Sequence, residues 1–203
     1  ELLIEQKKLL ITVRDEWIKF SLGGDTSIDK NKCIDGLNWL YSNAKLKNPM
    51  FVVFAEGPLA AQIIPSIFPN VLNASVRDSV RDSVGNPVWN SVRDSVENSV
   101  WKYEYPYCGV GLWSGWFSFY DYFERLGISE NKYKRFQEWV KTGVWDVLWF
   151  EKLCVVTCRP SIIKKDEQGR LHSENSPAAE WPSGEKYWFW HGTHVSEKII
   201  MKS

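Results

Sequence analysis

The chain has 203 residues, 44% hydrophobic and 25% charged, which is enough apolar material to bury a core without disulfide staples. Lys and Arg number 25 and Asp and Glu 25, so the formal net charge is zero; that excludes a strongly basic nucleic-acid binder, though not a local basic patch. There is no apolar run of about 18 residues to span a membrane, and an aromatic content of 15% excludes a disordered chain.

The chain opens on Glu1 with no Met, which is read as numbering that begins inside a longer protein. No targeting segment is visible. Four cysteines, Cys33, Cys108, Cys154 and Cys158, are too sparse for a disulfide framework. They are read as reduced thiols of a cytoplasmic protein. The glycosylation sequon Asn73-Ala74-Ser75 is then a chance match.

Residues 2–20 carry Leu2, Leu3, Leu9, Leu10, Val13 and Trp17 at helical spacing. Gly23-Gly24-Asp25 ends that helix. A second helix is expected over 29–43, capped by Asp25, Ser27 or Asp29, with Ile34, Leu37 and Leu40 inward. Met50 to Phe54 is a continuous apolar run and reads as a buried strand. Gly57 and Pro58 then start a helix through Phe68. A helix N-terminus after a strand can bind an anion. With one glycine, and with Glu56 beside it to repel phosphate, an ordinary strand-to-helix connection is expected instead.

The most unusual stretch is 75–101. Val recurs at 76, 80, 84, 88, 92, 96 and 100, and Ser precedes it except at Pro87. Asp or Asn follows two residues later, so the unit is Ser-Val-x-Asp/Asn. A strand would bury the carboxylates beside the valines. In a helix each unit overshoots a turn by about 40°, so three valines share a stripe and seven do not. The Gly85-Asn86-Pro87 break therefore predicts two short helices, 74–84 and 88–101. Arg93 and Glu97 are spaced to pair on the second. The repeat is expected to pack as part of the domain.

Residues 102–116 read as an aromatic, glycine-rich loop. A helix from Trp116 to Leu126, ended by Gly127, and another from Ser129 to Thr142 follow. Tyr133, Phe136, Trp139 and Val140 are expected inward on the second. From Val144 the signals turn to β: a strand at Leu153–Cys158, a short one at 161–165, and a turn at Asp166–Gly169. A hairpin runs from Glu180-Trp181 through Lys186–His191, and a closing helix or strand spans Val195–Met201. The expected fold class is α+β in a single domain, 1–203. Its parts are a helical part with one strand (1–70), the repeat (71–101), aromatic helices (102–143) and a β-rich tail (144–203).

The repeat, the Phe119-Tyr120-Asp121-Tyr122-Phe123 helix, the Leu171-His172-Ser173-Glu174-Asn175-Ser176-Pro177-Ala178 stretch and the Trp190-His191-Gly192 turn go together. So does the Pro58-Leu59-Ala60-Ala61 turn. Together they resemble an uncharacterised bacterial family with Ser-Val-rich tetrapeptide repeats and a Leu-His-x-Glu-x-x-Pro-Ala tail. The resemblance covers most of the chain and implies a shared fold, with no assigned activity. That family commonly has Asp-Gly where this chain has Asn175-Ser176, so a glycine-dependent turn is not expected there. The hairpin alone is similar to modules repeated in bacterial toxin and immunity proteins.

All three histidines, His172, His191 and His194, lie in the tail. With Cys154 and Cys158 they are the best candidates for a metal. Two cysteines four apart on a strand lie about 13 Å apart, too far to share one ion. A Cys–His nucleophile pair drawn from Cys33, Cys108, Cys154 or Cys158 is possible only if space assembles it. His172 with Glu174 and His191, or Asp121 with Glu124, could do acid–base work; otherwise His172 and Glu174 brace the hairpin. Twelve tryptophans are many for this length. Trp181, Trp188 and Trp190 cluster on the hairpin as binding candidates, with Trp188 and Trp190 on one face and Tyr187 and Phe189 on the other.

No P-loop, GxSxG or HExxH occurs. The leading expectation is a non-enzymatic protein-interaction module that needs no cofactor and binds a protein partner. An enzyme or metal site in the His/Cys tail is the alternative, and single-stranded nucleic-acid binding by aromatic stacking a further one.

Overall fold

The computed structural model describes residues 3–67, 76, 77, 79, 80, 83, 114–127 and 131–201. The loop 102–113, the second repeat helix and Cys108 lie outside the described residues. In chain order the elements are α1 (Ile4–Leu22), α2 (Lys30–Asn43), β1 (Phe51–Ala55), α3 (Pro58–Ile67), α4 (Ser114–Arg125), α5 (Asn131–Val140), β2 (Val144–Trp149), β3 (Leu153–Cys158), β4 (Ile162–Ile163), β5 (Ala179–Glu180), β6 (Lys186–Trp190), β7 (Thr193–Val195) and α6 (Glu197–Ile200). The protein is α+β, with helices first and strands concentrated in the tail.

The first sheet has the order β1-β3-β2. β3 is central, parallel to β1 and antiparallel to β2. All six of its residues are buried, which is why Leu153–Cys158 reads as an unbroken apolar run. Its alternation divides two cores. Cys154 and Val156 face α1, α2, α4 and α5 with Val13, Trp17, Leu37, Leu40 and Trp139. Leu153 and Val155 face α3 with Ala61 and Ile64. A bulge between Val144 and Asp146 shifts the register, so that Val144 and Val147, three residues apart, both face the helical core. Val144 joins the helical core and Trp145 the hairpin core.

The second sheet, β4-β5-β6-β7, is antiparallel throughout. Its inner face, with Ala179, Trp181, Phe189 and Tyr187, packs on Trp145 and Cys158. That contact ties the tail to the first sheet.

Local signals explain the helices. Asp29 caps α2 by accepting from Lys32 N at 3.2 Å. Gly36 on α2 meets Trp139 on α5 so closely that a Cβ would lie 2.2 Å from the indole; only glycine fits there. α1 buries Val13 and Trp17, as its spacing predicts, but Leu3 is exposed. The Pro58 helix start holds. Of the repeat, Arg77, Ser79, Val80 and Ser83 are helical. Val80 N donates to Val76 O, and Val80 is buried in the helical core, so this first stretch packs inward as expected.

One expectation needs correction. β1 is not a buried strand but the edge of its sheet, with Phe51 54% exposed. An apolar run shows a strand; it does not show how many neighbours the strand has.

The helices are joined by a buried carboxylate. Asp121 on α4 accepts from Trp17 Nε1 at 2.9 Å and from Arg125 Nε at 2.9 Å, with Lys141 Nζ at 3.5 Å. Burial opposes its charge, but these donors outweigh burial and hold the carboxyl below its usual range. Arg159, also buried, donates to Phe20 O at 2.6 Å and reaches Asp25 at 3.3 Å. It fastens the end of α1 to the end of β3.

Candidate functional site

The Asp166–Gly169 turn forms where the sequence places it. Asp166 Oδ1 accepts from the backbone N–H of Gln168 at 3.0 Å and Arg170 at 2.9 Å. Its Oδ2 accepts from Arg170 Nε at 2.8 Å and meets His191 Nδ1 at 2.9 Å. The His191 bond is the largest influence, and with Arg170 it holds the Asp166 carboxyl far below the usual carboxylate range. Asp166 is therefore ionised, and His191 Nδ1 must carry the proton between them. In the neutral ring this leaves Nε2 as an acceptor.

His172 is fixed in the opposite sense. Its Nδ1 accepts from the His191 backbone N–H at 3.2 Å, so its proton sits on Nε2, which lies 4.0 Å from Glu174 Oε1. The two rings stack with centroids 4.0 Å apart and planes 10° apart. Trp190 stands edge-on to both. In this arrangement each imidazole is held in one tautomer by its neighbours. Nitrogen-15 NMR at neutral pH is expected to show His191 protonated at Nδ1 and His172 at Nε2. The reverse assignment would contradict the geometry.

The backbone here is unusual. His191 has φ 45° and Gly192 φ 85°, the pattern of a two-residue type I′ hairpin loop between β6 and β7. Asn, Asp or Gly normally fill the first position, and a histidine there costs about 1 kcal/mol or more. The Asp166 bond offsets that strain.

Beside this cluster Ser176 Oγ accepts from Lys164 Nζ at 2.8 Å and lies 2.7 Å from Ser173 Oγ. Neither Asn175 nor Ser176 has a positive φ, so this turn needs no glycine.

Thus His172, Glu174, His191 and Trp190 come together. Asp166 and Arg170 join them, although their spacing suggests only a turn. Asp166 and His191 are 25 residues apart, and only the pairing of β4, β5 and β6 brings them together.

The other candidates go elsewhere. Cys154 lies in the helical core, 3.0 Å from Tyr41 Oη. Tyr41 donates to Phe150 O at 2.6 Å, so the thiol donates to the tyrosine oxygen. Cys158 lies in the hairpin core. Burial pushes the thiols up, Cys33 to about 11, Cys154 to about 12 and Cys158 to about 11, so at neutral pH they are not nucleophiles. His194 packs on Phe189 and Tyr187. The proposed Cys154, Cys158, His191 and His194 metal set is thus dispersed over two sheets. Among the described residues no three His, Cys, Asp or Glu side chains gather to hold a metal ion. Trp181 and Trp188 are buried at 1% and 8%, so only Trp190 of the three binding candidates reaches solvent, at 41%. Asp121 serves the helix junction described above.

The start of α3 carries an anion, but it is the chain's own. Glu185 accepts from Leu59 N at 2.9 Å and from Tyr187 Oη at 3.0 Å. A Cβ on Gly57 would lie 2.2 Å from the side-chain oxygens of both Glu185 and Ser183, so a larger residue there would push these two side chains aside. The connection is structural, as the sequence suggests.

Two apolar rows face solvent. On α1, Ile4, Ile11 and Ile18 are 74%, 50% and 47% exposed. They recur every seven residues, on the side opposite Val13 and Trp17. On α3, Leu59, Ile63 and Ile67 are exposed on the side away from the buried Pro58, Ala61 and Pro65.

No protein-family model, curated protein or solved structure matches this chain. The family resemblance therefore rests on the quoted motifs. Among the described residues no helix is long and apolar enough to cross a membrane.

Proposed function

We propose that this protein is a non-enzymatic protein-interaction module that uses the outer face of α1. The observation that carries this is that α1 is apolar on two sides. Val13 and Trp17 fold it onto the core, while Ile4, Ile11 and Ile18 form a second row on the solvent side. A surface helix normally needs one apolar stripe; a second at heptad spacing suits the apolar face of a partner helix. Lys7, Arg14, Asp15 and Lys8 flank the row and supply a polar rim. The described cysteines, all free and buried, support a reducing, cytoplasmic setting.

The test is the double variant Ile11→Glu, Ile18→Glu. Both side chains are half exposed, so the fold should survive, with stability within about 0.5 kcal/mol of the parent. Capture of a partner from extracts of its own cells is expected to fall at least tenfold. Undiminished capture would remove α1 as the interface.

A second reading, an acid–base site, is favoured by one specific observation: Asp166 holds His191 with Nε2 as the acceptor, in a strained turn. Turnover of an ester or phosphoester that is lost in both His191→Asn and Asp166→Asn would support it. Asn keeps the turn conformation available, so equal turnover in parent and variants would exclude it.

A further inference from the structure

The outer face of α1 carries a charge pattern as well as its isoleucine row. At about 100° per residue, Ile4 and Ile18 lie roughly 20° to either side of Ile11. Lys7, Lys8, Arg14 and Lys19 fall within about 80° of the same direction, and among the described residues of α1 Asp15 is the one acid that does so. All five are exposed. Arg14 and Asp15 pair with each other at 2.7 Å. Glu5 and Glu16 lie farther round the helix, about 120° and 140° from Ile11, and Glu16 is held by Arg125. Among the described residues Lys7, Lys8 and Lys19 have no ion-pair partner. The face is therefore a narrow apolar row beside three unpaired cations.

We propose that the partner of this face is an acidic amphipathic helix, with apolar residues at heptad spacing and Asp or Glu beside them. The inference rests on the reading that α1 is the interaction face and adds the chemistry of what it binds. Ile4 to Ile18 span about 21 Å, so the partner helix needs about 15 residues. Lys7 and Arg14 each follow an isoleucine by three residues, so they stand along the seam itself. Their methylene stems lie against the apolar side of a partner helix while their charged ends reach its flanks. Carboxylates there are attracted, and lysines there are repelled.

The same pattern argues against two other occupants. A second copy of α1 would bring two cationic faces together. An anionic membrane suits a helix with a broad apolar face, whereas this row is one residue wide and Asp15 stands about 40° from its centre.

The probes are two synthetic helical peptides of about 21 residues, with Leu at the two apolar heptad positions and either Glu or Lys at the flanking ones. Each is titrated into the full chain, into Lys7→Gln, Lys8→Gln, Lys19→Gln and into Ile11→Glu, Ile18→Glu, with circular dichroism confirming that all three proteins are folded. Three exposed attractions of roughly twofold each become repulsions with the Lys peptide. The parent is therefore expected to bind the Glu peptide at least tenfold more tightly, and the preference should shrink as salt rises from about 0.05 to 0.5 M. The glutamine variant should lose the preference, and the glutamate variant should lose binding. Equal binding of both peptides, lost in the glutamate variant, would overturn the acidic class and leave α1 as the interface. So would absence of Glu-peptide binding while capture from extract still falls in the glutamate variant. Binding to phosphatidylserine-containing vesicles in place of the Glu peptide would overturn it in favour of a membrane. No peptide binding together with undiminished capture would sink the interaction face as well.

Discussion

Asp121→Ala is expected to lower stability by about 3 kcal/mol, the scale of a broken buried ion pair. The side chain is 9% exposed and receives Trp17, Arg125 and Lys141 from three parts of the helical layer. Its removal strands the Trp17 indole N–H in the core and leaves Arg125 with Glu16 alone among these carboxylates. For a chain of this size the melting temperature should drop by roughly 10 °C. The pH dependence has a definite sign. The folded-state pKa of Asp121 is lowered from 3.8, so its stabilisation is complete above that value and is lost as pH falls below it. Calorimetry should therefore show parent and variant converging in acid. A constant difference down to the lowest accessible pH would mean that packing, not charge, accounts for the effect.

Asp146→Asn is expected to do the opposite. Burial at the β2 bulge pushes the Asp146 carboxyl up from 3.8 to about 6, against smaller opposing effects of the Val147 N–H and the Arg77 charge. A raised folded-state pKa gives stability that is full below pH 3.8 and is lost as pH rises through about 6. At pH 8 the ionised carboxylate is thus a cost. Two pKa units correspond to about 2.7 kcal/mol; allowing for access of water, the asparagine variant should be about 2 kcal/mol more stable at pH 8. At pH 4 it should match the parent. Denaturant unfolding at both pH values checks this; equal stability at pH 8 would show that Asp146 is not held in a costly environment.

Periodicity made much of the fold legible. The spacing of Val13 and Trp17, the Asp29 cap, Pro58 at the start of α3 and the run Leu153–Cys158 all report local geometry, and they fall where expected. Neighbour relations were hidden. Met50 to Phe54 looked like a buried strand because an apolar run does not say which edge is open. Trp181 and Trp188 could not be separated from Trp190, since alternation assigns faces but not what covers them. The site shows the same limit. His172, Glu174 and His191 were visible as reactive types, while Asp166 and Arg170 looked like turn residues. Only the strand pairing of the tail makes Asp166 the group that orients His191. The buried Asp121 junction joins residues 104 positions apart and leaves no local trace.

The proposed binding face is the outer row of α1, Ile4, Ile11 and Ile18. The most direct measurement is quantitative mass spectrometry of proteins retained from its own cell extract by the parent and by the Ile11→Glu, Ile18→Glu variant, with folding of both confirmed by circular dichroism. One partner is expected in stoichiometric amount on the parent and depleted at least tenfold on the variant. Equal retention by both folded proteins would contradict it.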